Sequence, residues 1–170
     1  MNVRMNVTLN GELSGLDGLT ERLTVAAAEG MRAGLLPMER TAKQLCPVDT
    51  GDLRNSIRAE VRVKGGSVEG KLTANSDHAV YVEMGTGDVG RASGGNGSGV
   101  QVSYRHGGWF VPLARGAVMV KDTILKDASA GFWTYGQPAR PYLYPAYRQH
   151  REGLTKAIRA AMLKSLKGGG

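Results

Sequence analysis

The sequence predicts an α+β fold: an antiparallel sheet meander packed by a long N-terminal helix and a C-terminal helix, with a glycine-rich loop or hairpin insertion. Three observations predict it. Apolar positions return at three- and four-residue steps from Leu19 to Leu45 and again from Tyr147 to Ala161. Between Ala59 and Ala74 the apolar period changes to two. Nine glycines then fall within the 24 residues from Gly85 to Gly108.

The first helix carries Leu23, Ala26, Ala27, Gly30, Gly34, Met38, Thr41 and Leu45 on one stripe. It ends at Pro47, because the residue before a proline is pushed out of the α region. Pro37 lies inside the pattern and predicts a kink or a short second helix starting there. Gly30 and Gly34 thin the stripe and predict a close helix-to-sheet contact. Leu53 and Ile57 fit one helical turn, after which Ala59, Val61 and Val63 alternate with Arg58, Glu60 and Arg62. Lys64-Gly65-Gly66-Ser67 reads as a hairpin turn leading to a second strand with Val68, Leu72 and Ala74 on its apolar face. A third strand is expected over Ala79–Met84, after the Asn75-Ser76-Asp77 turn. The stretch from Gly85 to Gly108 offers too little side chain to offset its ordering entropy and is expected as a mobile loop, and the whole insertion, residues 85–136, is expected to form an extra hairpin against a partner. Pro145 suits the first turn of the closing helix. Its stripe is Tyr147, His150, Leu154, Ala157, Ile158 and Ala161, and residues 168–170 are expected to fray.

At 170 residues the chain suits one domain, able to bury roughly 70% of its unfolded surface. Cys46 is the only cysteine, which excludes an intrachain disulfide and a thiolate metal cluster. The first residues alternate polar and apolar, unlike a signal peptide, and no run approaches the ~20 apolar residues of a membrane span. The chain is therefore expected to be made in the cytoplasm. Of the +7 net charge, the segment from Pro145 onward supplies +5, with six basic residues against one acid. Such a basic helix face can meet water, an acidic protein or DNA.

Several motifs suggest chemistry and lack its context. Gly85-Thr86-Gly87-Asp88-Val89-Gly90 matches G-x-G-x-x-G after an expected strand, but a dinucleotide site needs a helix next, and Arg91-Ala92-Ser93-Gly94-Gly95 is not expected to start one. Gly65–Leu72 imitates a phosphate-binding loop, yet Leu72 stands where the magnesium-binding hydroxyl belongs and the segment reads as a hairpin. His78, His106 and His150 have no metal-ligand spacing, and His150 reads as a hydrogen-bonded packing residue. Ser76-Asp77-His78 is a turn rather than a triad, which is defined by geometry and not by adjacency. Glu83 reads as a structural anchor that accepts a turn N–H or pairs with a base. No catalytic, cofactor or metal site is expected.

What remains is three turn signals in fixed order. The first is P-V-D-T-G-D-L-R-N-S-I, residues 47–57, with Pro47, Asp49, Thr50, Gly51, Leu53 and Ser56. The second is H-A-V-Y-V-E-M-G-T-G, residues 78–87, with His78, Tyr81, Glu83, Gly85 and Thr86. The third is Q-P-A-R-P-Y-L-Y-P-A, residues 137–146, with Pro138, Ala139, Arg140, Pro141 and Pro145. Each combines backbone-turning Pro and Gly with acceptors for turn N–H groups and apolar anchors. Gly51 and Gly85 are expected at positive φ. Such a chain looks built for shape.

Between a leading and a closing helix, these signals resemble the tail-component family of long-tailed double-stranded DNA phages, described as tail-completion or head-tail joining proteins. The resemblance covers Leu19 to about Met84 and Gln137 to Leu166, and the chain departs from the family pattern between Gly85 and Gly136. It implies a single tail-completion-like domain over residues 1–170 that is a non-enzymatic virion structural protein of the neck. The implied assembly is a closed homo-oligomeric ring, of completion or terminator type, bound to other neck and tail proteins. DNA would pass through it nonspecifically. Interface or DNA-passage candidates are Trp109, Phe110, Trp133, Tyr135, Arg148, Arg151, Lys156 and Arg159. The competing class is a nucleic-acid-binding protein using the basic closing helix with Trp109, Trp133, Tyr135, Tyr142 and Tyr144, whose affinity would fall steeply with salt.

Overall fold

The computed structural model describes residues 2–8, 17–111 and 131–167. In chain order the elements are β1 (Asn2–Thr8), α1 (Asp17–Leu45), α2 (Asp52–Ser56), β2 (Ile57–Lys64), β3 (Ser67–Ala74), α3 (Ala79–Met84), α4 (Gly87–Ala92), β4 (Trp109–Val111), β5 (Phe132–Thr134) and α5 (Leu143–Lys167). The expected frayed end at 168–170 lies outside the described residues.

The main sheet is antiparallel with order β1-β3-β2. Along β3, Val68, Gly70, Leu72 and Ala74 are buried while Ser67, Glu69 and Lys71 are half-buried, so one face meets the core and the other meets solvent. Val3, Met5 and Val7 of β1 stand opposite Leu72, Gly70 and Val68. The same register places Arg62 opposite Glu69 and Lys71 opposite Glu60 on β2, two cross-strand pairs of opposite charge. Gly70 lets α1 approach: a Cβ there would meet the Met31 and Leu35 side chains.

α1 is a single helix of 29 residues with Pro37 inside it, so no separate second helix starts at the proline. The proline deprives the Ala33 carbonyl of its partner, and Ala33 is exposed, where water can replace the bond. α1 lies over β2 and β3, and α5 runs antiparallel beside it, reaching the sheet at β1. One core joins them, with Met31, Met38, Ile57, Leu72, Tyr142, Leu143 and Leu154 fully buried.

Three expectations are corrected. The Ala79–Met84 segment is the helix α3 and not a strand; Val82 and Gly85 donate to the carbonyls of His78 and Tyr81. The third strand of the sheet is instead β1, which the sequence reading left unassigned. Gly30 and Gly34 serve helix-to-helix contact rather than helix-to-sheet contact. A Cβ on Gly30 would stand 2.6 Å from the Ile158 Cα, and one on Gly34 would strike Leu154.

Candidate assembly site

The first motif closes the α1 end of the core. Cys46 N–H donates to the Ala42 carbonyl at 3.0 Å, and Pro47 then turns the chain away. Thr50 Oγ1 donates to Asp52 Oδ2 at 2.7 Å and accepts from the Asp52 N–H at 3.3 Å. Gly51, at φ 94, takes the left-handed conformation that lets its carbonyl accept the Asn55 N–H at 2.9 Å and open α2. Leu53 plugs the core, and Ser56 Oγ donates to the Leu53 carbonyl at 2.8 Å. Asp49 and Thr50 stay exposed.

The second and third motifs are hydrogen-bonded into one unit. Thr86 N–H donates to the Gln137 carbonyl at 2.9 Å, and Gln137 N–H returns to Thr86 Oγ1 at 3.1 Å. Arg140 N–H donates to the Val82 carbonyl at 2.8 Å, and Ala139 N–H to Ser93 Oγ at 2.9 Å. Gly85, at φ 78, sits where these strands of backbone cross; a Cβ would stand 2.7 Å from both the Ala139 nitrogen and the Gly90 Cα. Any other residue would have to push the two motifs apart.

Glu83 is the centre of this unit. It is fully buried. Its Oε2 accepts the N–H groups of Tyr142 at 2.8 Å and Leu143 at 2.9 Å, and Oε1 accepts the Tyr144 N–H at 2.9 Å and Asn96 Nδ2 at 3.0 Å. A carboxylate thus occupies the positive end of the α5 dipole and satisfies donors that helix geometry leaves without intrahelical partners. The expected structural anchor is therefore a helix cap. Burial, reinforced by the Glu83 charge, pushes the Tyr142 phenol far above its ordinary range, and its hydroxyl donates to the Ala79 carbonyl at 3.4 Å.

Around this unit lie two concavities. One of about 510 Å³ gathers all three motifs, with Thr50 and Leu53, His78 and Val82, and Pro138 and Arg140 among its walls. His78, Pro138 and Arg140 are exposed there, while Ala139 and Pro141 are half-buried behind them. The other, about 520 Å³, lies between α3 and residues 102–109 and includes the exposed Tyr81, together with Tyr104 and Trp109.

The insertion is anchored to this unit rather than free of it. Tyr104 hydroxyl donates to the Met84 carbonyl at 2.9 Å, and Val89 N–H donates to the Tyr135 carbonyl at 3.2 Å. β4 and β5 pair antiparallel, Trp109 opposite Thr134 and Phe110 opposite Trp133. Arg105 lies over the Trp109 ring at 5.3 Å, and Phe110 meets Trp133 edge-on at 6.2 Å. Trp133 is 69% exposed and Tyr135 57%. α4 begins at Gly87, inside G-x-G-x-x-G, and ends at Ala92, so no helix starts over residues 91–95. It has six residues and is preceded by α3 instead of a strand, which removes the strand-to-helix setting of a dinucleotide site. Gly65–Leu72 is the expected hairpin.

Arg148, Arg151, Lys156 and Arg159 are all exposed along α5, spread over the helix and separate from the motif cavity. His150 meets Thr41 Oγ1 at 2.7 Å, the packing role expected of it. Pro145 lies in the first turn of α5. Sequence reasoning missed Ser93, Asn96 and Tyr104, because their partners lie across turns that no local pattern specifies. Among the described residues no His, Cys, Asp and Glu group of three or more is placed to hold a metal ion, and no helix is long and apolar enough to cross a membrane.

Residues 13–85 match the family described as "Bacteriophage HK97-gp10, putative tail-component". The match spans α1, the first motif, the hairpin and α3, ending at Gly85, so this part of the chain is similar to a phage tail component. The third motif and α5 lie beyond it. No curated protein and no solved structure matches the chain.

Proposed function

We propose, from the tail-component match as premise, that the protein is a structural subunit of the phage neck. It joins head to tail as a tail-completion or tail-terminator-like protein and assembles into a closed ring with cyclic symmetry. The observation that carries this reading is the tail-component match together with the interlocked turn unit. Two motifs far apart in the chain, the second and third, are hydrogen-bonded into one junction whose buried carboxylate faces only backbone N–H groups and an amide, and the first motif lines a cavity beside it. Such a unit presents its flanking surfaces, the aromatic ribbon and the helix faces, at fixed angles, and a heterologous interface closes into a ring when its rotation divides a full turn. The ring is made in the host cytoplasm, binds other neck and tail proteins, and lets DNA pass without reading it.

Negative-stain imaging of the purified protein, alone and co-expressed with the products of adjacent genes, is expected to show closed rings in at least one preparation. Monomers in both would overturn the ring. The second reading, a nucleic-acid-binding protein, is favoured by the exposed basic residues of α5. It loses Tyr142 as a base-stacking side chain, since that ring is fully buried.

A further inference from the structure

The cavity of about 520 Å³ between α3 and residues 102–109 has the size of a ligand site, for which roughly 300–1,000 Å³ is usual. Val80, Met84 and Val102 give it aliphatic walls, and Tyr81, Tyr104 and Trp109 give it aromatic ones. Those walls are held in place. The Tyr104 hydroxyl is spent on the Met84 carbonyl at 2.9 Å, and Gly87 lies so close to Trp109 that a Cβ there would stand 2.9 Å from its ring. A single charged side chain lines the cavity. Arg105 lies over the Trp109 ring at 5.3 Å, exposed and in no ion pair among the described residues. No acid lines it: Asp88, which holds the neighbouring His106 and the Gly107 N–H, is not among its walls.

We propose that this cavity receives a peptide segment of another virion protein, in which a large apolar side chain stands beside a carboxylate. The apolar side chain leaves water for aliphatic and aromatic walls that are already formed. The carboxylate is required by Arg105. An occupant covers that guanidinium and strips its water, so it must bring the opposite charge, and a guanidinium over an indole keeps its planar fork of N–H donors for a carboxylate. A nucleobase fits less well, since its hydrogen-bonding edge would meet Val80, Met84 and Val102, while Thr86 Oγ1 already accepts the Gln137 N–H and the Tyr104 hydroxyl is engaged.

The inference rests on the neck reading for its partner, but peptide binding is measured on the subunit itself, so its failure and the absence of rings are separate results. Trp133 is the only tryptophan besides Trp109, and Trp133→Phe therefore leaves Trp109 as the sole fluorescent reporter, inside the cavity. The probes are capped six-residue peptides of glycine and serine, each with one phenylalanine, leucine, methionine or tryptophan analogue silent in fluorescence beside one glutamate, and the same set with lysine for glutamate. At least one glutamate peptide is expected to shift Trp109 emission saturably and to bind about tenfold tighter than its lysine twin. Arg105→Gln is expected to erase that preference, and Tyr81→Ala, at a side chain 54% exposed, to weaken the apolar part, with circular dichroism to check the fold. No response to any peptide, equal binding of the lysine set, or a preference that survives Arg105→Gln would overturn the proposal. Tighter binding of a single-stranded oligonucleotide would replace the peptide with nucleic acid, and rings lost in Tyr81→Ala would put a second copy of this chain in the cavity; either result overturns the proposal too.

Discussion

A single buried carboxylate, Glu83, holds the start of α5, the end of α3 and the insertion at once. Glu83→Gln keeps the shape but replaces one acceptor oxygen with an N–H₂ that faces donors. At least one of the four donors is then left buried and unpaired, and the others lose charge assistance. A charged hydrogen bond contributes about 1.5–3 kcal/mol, so a loss of about 3 kcal/mol is expected in urea denaturation. A change below about 1 kcal/mol would show that the cap does not hold α5. Asp88 offers a test by pH. The Gly107 N–H at 3.0 Å, with His106 at 3.2 Å, holds its carboxyl below the ordinary value of 3.8. A depressed folded pKa means the tie between α4 and residue 107 is complete above about pH 4 and is lost as pH falls through the lower, folded value. The Gly107 amide resonance should therefore titrate with a midpoint below 3.8, and a midpoint at or above it would contradict the bond.

At the scale of elements, the α1–α5 contact turns on glycines whose surroundings differ. A Cβ on Gly30 would meet the Ile158 and Ala157 backbone, which cannot rotate away, whereas one on Gly153 would meet nothing within 4 Å. Alanine gains about 1 kcal/mol in helix propensity at either site, but overpacking against backbone costs typically 1–3 kcal/mol. Thermal melts should show Gly153→Ala raising stability by about 0.5–1 kcal/mol and Gly30→Ala lowering it. Equal effects would mean the helices are not in backbone contact. The long elements were legible because α1 and α5 repeat their apolar period over many turns and the Gly65-Gly66 turn fixes the hairpin. What faces Gly30 was not legible, since a thin stripe looks the same to a sheet as to a helix. Ala79–Met84 misled because Val80, Tyr81 and Val82 favour strands and six residues cannot separate a period of two from one of 3.6. Its helical state is fixed by Glu83 and the third motif, some 60 residues away. β1 was missed because the alternation from Asn2 to Asn6 was weighed only against a signal peptide and its partner, β3, lies past the whole of α1.

For the whole molecule, charge and architecture point to different partners, and α5 decides between them. Its buried stripe is committed to α1, leaving Arg148, Arg151, Lys156 and Arg159 exposed with Glu152 among them. Reading a base sequence needs a compact group of Arg, Asn or Gln on a helix end free to enter a major groove. The N-terminal end of α5 is instead held by Glu83 and followed by Pro145 in its first turn. The basic face therefore suits a ring neighbour, an acidic partner or passing DNA, without base specificity. Replacing Arg148, Lys156 and Arg159 with Gln is expected to leave the fold intact and to weaken assembly or DNA retention. If all three contact phosphates, the slope of log K against log salt becomes shallower by at most about 2.7, at 0.9 per contact. The loss should be equal for unrelated DNA sequences. If the wild-type protein instead prefers one short sequence by more than about tenfold, or 1.4 kcal/mol, the helix reads bases and the nucleic-acid-binding class replaces the neck subunit.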